Sequence, residues 1–314
     1  MPSKVMLNQG VKIETVVFLI LFGAVSLYAQ KSYEEQFDIT YMTVEGTELK
    51  LDLFIPKDLS KPLPLIIVIG LHGGAWIKGN RKNFHRACIG LAERGYITAS
   101  VSYRLADVAP FPAQIQDVQA AIRWLKFHAD KYGIDSSKVA VTGFSSGGHL
   151  AALVATSGNS EHIWPALDPG GFQNITSISM DVISKIKPIV KVAIPMAAQS
   201  DLETEETRKV SASEEQYFYR IFLNGSLDEN PKNYRMASPL RHLDENDPPV
   251  FFVCGSIDGI STQGENFRNK MDVLGIDNDV FVIDGAPHVF LTNPDWKARA
   301  LNYTAAKLDT YLKN

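Results

Sequence analysis

The chain has 314 residues, of which 45% are hydrophobic, 21% charged and 10% aromatic, and this composition excludes a disordered chain, a collagen-like repeat and a small disulfide scaffold. The formal net charge of −4 argues against a general nucleic-acid binder, and the one dense basic stretch runs from Lys78 to Arg86. A chain of this length buries roughly three quarters of its unfolded surface without needing a staple.

The elements are best taken in chain order. Lys4 and Lys12 precede an apolar run from Val16 to Leu27, followed by Ala29 and the polar Gln30-Lys31-Ser32. That order reads as a signal peptide over residues 1–29, too short for a comfortable membrane span, with an uncleaved anchor as its rival. The expectation is a secreted or periplasmic protein with no stable membrane association once the leader is cleaved. Residues 30–314 then form a single catalytic domain. Gln36–Thr43 and Leu49–Ile55, separated by Glu45-Gly46, read as an antiparallel hairpin. Six short apolar runs follow: Leu65–Gly70, Tyr96–Val101, Lys138–Thr142, Ile189–Ile194, Val250–Cys254 and Val280–Ile283. Each is unbroken, as expected of strands buried on both faces of a parallel sheet. Between the second and third runs, Ile115, Val118, Ile122, Leu125 and Ala129 make one helical stripe, started by Pro112 and stopped by Gly133. The predicted fold is α/β, a mostly parallel central sheet with an N-terminal antiparallel hairpin and helices on both faces.

Two stretches break this pattern. Residues 156–187 carry several Gly and Pro and no clean period, and residues 201–238 are polar, with Glu203, Glu205 and Glu206 near their start. Both are candidate lid or insert segments, and the plainer reading is a solvated surface excursion. Cys88 and Cys254 are expected to be two unpaired thiols, Cys254 as a buried filler at a strand end.

Three segments carry chemistry. His72-Gly73-Gly74-Ala75-Trp76 follows the strand at 65–70. Successive glycines let a backbone aim N–H groups at a developing anion, so the N–H groups of Gly73 and Gly74, with that of Ser146, are the expected oxyanion hole. Gly143-Phe144-Ser145-Ser146-Gly147 lies between the strand at 138–142 and a helical run at 149–155. A Ser on a tight strand-to-helix turn needs small neighbours, and the helix N-terminus favours developing negative charge. Asp258 and His288 each follow a strand, at the sheet edge where ligands bind in open α/β folds. A serine hydroxyl needs an imidazole to take its proton and a carboxylate to orient that imidazole, and the order Ser145, Asp258, His288 suits this task. Asp284, which also ends a strand, is the rival carboxylate. His72, Trp76 and Phe290 are candidate substrate-binding residues, and Trp164 and Phe172 are further candidates to line a pocket.

With these residues in view, the sequence resembles the α/β-hydrolase serine esterases, and within them the secreted bacterial carbohydrate-esterase type related to feruloyl and acetylxylan esterases. The resemblance runs from about Phe37 to the C-terminus. It rests on His72–Trp76, Tyr103-Arg104-Leu105-Ala106, Phe111-Pro112-Ala113 with Asp117, Gly143–Ala152, Ala237-Ser238-Pro239-Leu240, Gly255-Ser256-Ile257-Asp258 and Gly285-Ala286-Pro287-His288. It implies nucleophile Ser145, acid Asp258 and base His288, with Tyr103, Arg104 and Asp117 as scaffold. Phe144, Ser146 and Ala75 depart from the hormone-sensitive-lipase-like pattern and favour the carbohydrate-esterase side. Cys254 and Val289 stand where relatives often carry histidine and glycine, which leaves the acyl group open.

The expected activity is hydrolysis of carboxylic esters through an acyl-enzyme, on acetyl or hydroxycinnamoyl esters of plant polysaccharide, with a rate that falls below about pH 6 to 7. No metal or other cofactor and no nucleic-acid partner is expected; the partner is a small-molecule or polysaccharide ester. The alternatives are an arylformamidase-like amidase or small-acyl lipid esterase on the same scaffold, and a binding protein that kept the fold without the chemistry.

Overall fold

The computed structural model describes residues 31–58, 62–69, 74–157, 185–213, 217–259 and 263–313. The leader, His72, Gly73, Trp164 and Phe172 lie outside the described residues, as does most of the segment 156–187. The hairpin pairs β1 (Tyr33–Val44) with β2 (Thr47–Pro56). Its turn residues Glu45 and Gly46 both have positive φ, 47° and 79°, the sense that matches the twist of two right-handed strands. Then come β3 (Leu63–Ile69), a 3-10 turn (Arg81–Phe84), α1 (His85–Ala92), β4 (Ile97–Val101), α2 (Ala113–Phe127), α3 (Ala129–Tyr132), β5 (Ile134–Phe144) and α4 (Ser146–Ser157). The remainder is β6 (Val192–Met196), α5 (Glu205–Ala212), α6 (Phe218–Leu223), α7 (Pro231–Ala237), α8 (Pro239–His242), β7 (Val250–Gly255), α9 (Gln263–Leu274), β8 (Asn278–Ile283), a 3-10 turn (Phe290–Thr292) and α10 (Pro294–Leu312).

The strands form one sheet of order β1-β2-β4-β3-β5-β6-β7-β8. β2 runs antiparallel to both its neighbours, and every other pair is parallel. The core lies on both faces because successive strand residues point to opposite sides. Leu65, Val139 and Val141 join α2 and α4 on one face, while Ile66 and Ala140 join α1 and α10 on the other. This double burial is why the strands read as unbroken apolar runs.

The sequence expectations hold for the fold class and shift in detail. β8 is an edge strand and is not buried on both faces: Val282 is 47% exposed. The run at 189–194 is only partly strand, since Ile189 precedes β6 and its carbonyl accepts a 2.6 Å bond from Lys126 Nζ. The long helix divides at His128, whose backbone leaves the helical region and whose ring lies 4.1 Å from that of Trp124. Gly133, with φ 68°, ends α3 as expected. The segment 201–238 is not a solvated excursion throughout. Tyr219, Phe222, Leu223, Leu227 and Tyr234 are buried in it, while the flanking glutamates meet Arg208 and Arg241 nearer the surface. Cys88 and Cys254 are both buried and no disulfide joins them. Burial pushes the Cys88 thiol up to about 12, so it stays protonated. The basic turn at Lys78–Arg86 is tied into the hairpin, with Arg81 Nε and His85 Nε2 at 2.9 and 2.8 Å from the fully buried Asp52 carboxylate.

Candidate active site

Ser145 sits where β5 hands over to α4. Its φ of 51° is a left-handed conformation that an L side chain rarely adopts. Two features hold it there. Its N–H donates to Met196 O at 2.8 Å, and its carbonyl accepts the N–H of His149 at 2.8 Å, the first bond of the helix. The small neighbours are a steric requirement: a Cβ on Gly143 would stand 2.4 Å from Gly147 O, and one on Gly148 2.5 Å from Met196 O. Strand, elbow and helix therefore pack closer than any side chain allows. Ser146 is the first residue of α4, so its N–H has no acceptor within the helix.

Asp258 and His288 arrive from β7 and β8. The loops that carry them are laced together: Ser256 N–H donates to Ile283 O at 3.0 Å, Ile257 N–H to Ala286 O at 3.2 Å, and Gly285 N–H to Ser256 Oγ at 2.8 Å. Gly255 lets the two backbones approach closely, since a Cβ there would lie 2.1 Å from Ala286 O. The imidazole of His288 spans the gap, with Nδ1 2.9 Å from Asp258 Oδ2 and Nε2 2.9 Å from Ser145 Oγ. The Asp258 side chain is 1% exposed and that of His288 30%. A carboxylate accepts only, so Nδ1 carries the proton and Nε2 is left to accept from the serine hydroxyl. The rival Asp284 is exposed to solvent.

Gly74 is buried at the start of a tight turn, its carbonyl accepting from Ile77 N–H at 2.7 Å and Lys78 N–H at 3.1 Å. Ala75 and Trp76 follow with φ of 42° and 65°. Trp76 borders the pocket over Ser145, as expected, and is also held firmly in place. Its indole is 2% exposed, stacks on Phe222 at 4.2 Å, and donates Nε1–H to His149 Nδ1 at 3.2 Å. His149 in turn donates Nε2–H to Ala237 O at 2.6 Å. Burial pushes His149 down to about 4, which keeps the ring neutral and able to accept from the indole. Arg104 and Asp117 behave as scaffold, the guanidinium and backbone N–H of the one meeting the buried carboxylate of the other at 2.7–3.1 Å.

Phe290 does not line the pocket over Ser145. It is fully buried and packs on Phe144 at 5.1 Å, because the 3-10 turn after His288 directs it into the core. Sequence reasoning also missed part of the site. A pocket of about 200 Å³ opens over Ser145 and His288, lined in part by Trp76 and Val289, which the sequence singled out, and by Gln199, Phe218 and Tyr219, which it did not. Gln199 Nε2 donates to the Tyr219 hydroxyl, which burial pushes up to about 12 and so keeps neutral. Gln199 was findable, since it lies just beyond the carboxyl end of β6. The run Tyr217-Phe218-Tyr219 stood in a segment read as polar, and nothing local marked which ring faces the pocket.

Comparison with known proteins agrees with the fold. Described as a truncated carbohydrate esterase from gut microbiota, one solved structure superposes with a TM-score of 0.68 at 22% identity, over 89% of this chain and 98% of that one. Esterase Est2 of Thermogutta terrifontis does so at 0.68 and 21%, over 89% and 92%. Esterase LipC of Mycobacterium tuberculosis is 31% identical over 245 residues, 76% of this chain and 56% of that protein. The chain spans about half the length of such curated relatives. Residues 51–271 match the family model BD-FAE. With its antiparallel lead-in to a parallel sheet and its strand-end loops, the chain has the α/β-hydrolase fold and belongs to the BD-FAE family.

Proposed function

We propose that the protein is a serine carboxylesterase with Ser145 as nucleophile, His288 as base and Asp258 as the carboxylate that orients it. The observation that carries this reading is the unbroken 2.9 Å–2.9 Å relay from Asp258 through His288 to Ser145. His288 Nε2 takes the hydroxyl proton as Ser145 Oγ bonds to the ester carbonyl carbon. The carbonyl oxygen becomes an anion, met by the N–H groups of Ser146, Gly74 and Gly73. Collapse of that intermediate expels the alcohol, which receives the proton from His288. Water then repeats the sequence against the acyl-enzyme, releasing the carboxylic acid and restoring Ser145. The α/β-hydrolase fold, the BD-FAE match and relatives named as esterases support the reading.

The acyl group is acetyl or hydroxycinnamoyl, since a pocket of about 200 Å³ bordered by Tyr219 and Phe218 has room for an aromatic ring as well as a methyl group. Esters of these acids on plant polysaccharide are the proposed substrates, in a single catalytic domain over residues 30–314 with residues 1–29 as a secretory leader. Among the described residues no helix is long and apolar enough to cross a membrane.

Two measurements test this. A fluorophosphonate labels the folded protein and fails to label Ser145→Ala; absence of labelling in the folded parent chain favours the binding-protein reading. In a panel of p-nitrophenyl acetate, acetylated xylan, methyl ferulate and N-formylkynurenine, the esters turn over faster than the formamide. Preference for the formamide moves the protein to the amidase class, and the ratio of acetyl to feruloyl turnover fixes the acyl group.

A further inference from the structure

A second cavity, of about 260 Å³, lies on the other side of the His288 loop, between α1, α10 and the ends of β5 and β6. It is not the pocket over Ser145, although Val289 lines both spaces and the Phe144 ring at its wall lies 5.5 Å from the His288 ring. Its walls are mostly apolar, and they include Leu91, Met196, Leu291 and Leu301. Two of its polar groups make no demand on a ligand. The hydroxyls of Thr142 and Thr304 donate to Ile194 O and Ala300 O at 2.7 and 2.8 Å. The charged lining is of one sign only, Arg86 and Lys297, with no Asp or Glu among the lining residues. Among the described residues neither cation has an ion-pair or side-chain hydrogen-bond partner.

From this pairing of an apolar interior with two unpartnered cations, we propose that the cavity is a binding site for an amphipathic monocarboxylate. The aliphatic or aryl body removes the leucine and methionine surface from water. The carboxylate meets Arg86 and Lys297, whose positive charges hold it through charge-assisted hydrogen bonds. A neutral alcohol of the same length gains only the first of these, and an ammonium meets repulsion. The site stands on its own charge and shape and does not depend on the esterase reading.

The test is calorimetric titration of the full chain with octanoate, 1-octanol and octylammonium. Octanoate binds, octanol binds at least about tenfold more weakly, and octylammonium gives no heat. The double variant Arg86→Gln/Lys297→Gln weakens octanoate at least about tenfold, and the parent affinity falls with added salt because Arg86 is exposed. Neither residue lines the pocket over Ser145, so this loss assigns the anion to the second cavity. Leu301→Trp, which fills the cavity, abolishes binding; should that variant fail to fold, the double variant, which changes only rim residues, decides. Equal affinity for octanol and octanoate, no octanoate binding, or an undiminished double variant overturns the proposal.

Discussion

At Asp258 one carboxylate oxygen faces the Nδ1 of His288 in a nearly water-free setting, and this single contact decides which ring nitrogen carries the proton. Asp258→Asn keeps the shape and reverses the hydrogen-bond sense, so the amide favours the tautomer with Nε2–H pointing at Ser145. On the proposed mechanism kcat for p-nitrophenyl acetate falls by about 10³–10⁴-fold with KM little changed. A loss below tenfold removes Asp258 from its role. Gly74 answers to sterics in the same way. A methyl there would stand 2.5 Å from Lys78 Cβ and 2.6 Å from Lys78 O, so Gly74→Ala must displace the turn and with it the proposed oxyanion donor. Steady-state kinetics are expected to show a lower kcat while the thermal midpoint changes modestly.

Between elements, the site depends on close approaches that the loops themselves cannot enforce. β7 and β8 deliver Asp258 and His288 together only because Gly255 lets the two chains nearly touch. Gly255→Ala is expected to lower both the melting temperature and kcat, and a variant with unaltered kinetics would show that the loops have slack to absorb a Cβ. The insert bears on the site through α6. Phe222 stacks on Trp76, Trp76 holds His149, and His149 reaches Ala237 at the end of α7. Phe222→Ala empties a fully buried ring site and is expected to cost about 3–5 kcal/mol of stability, read by urea unfolding. A cost below 1 kcal/mol would mean that the insert is not anchored through this stack.

For the molecule as a whole, His149 makes folding sensitive to acid. Its folded value is pushed down to about 4, against 6.5 for the ordinary imidazole, so between those values the unfolded chain binds more protons. Stability is complete above pH 6.5, declines as the pH falls toward 4, and loses about 3 kcal/mol over that window. Urea unfolding at pH 7 and pH 4 measures the decline, and His149→Gln flattens it while lowering the pH 7 stability through loss of the indole contact. An equally steep decline in the variant would place the acid sensitivity elsewhere. This histidine sits in the helix after the elbow and its sequence position gave no hint of such a part, because a buried neutral ring and a catalytic one are spelled alike.

Local order along the chain was enough for the sheet class, the elbow and the triad candidates. Unbroken Val and Ile runs report double burial, Gly143 and Gly147 report a turn too tight for side chains, and a polar residue just past a strand end reports the rim where ligands bind. Local order was not enough where the deciding partner is distant in sequence. Phe290 looks like a pocket aromatic until the turn after His288 sends it into the core. Tyr219 was invisible, and Gln199 legible only as a residue past a strand end, because their meeting joins an insert to that strand end. The choice of Asp258 over Asp284 needed only loop position, yet the 2.9 Å contacts that give Asp258 its meaning exist only once eight strands have stacked in one order. Amino-acid pattern determines which way a residue tends to face, since that follows from helix and strand periods. What it faces is decided by packing between segments, whose contacts no period encodes.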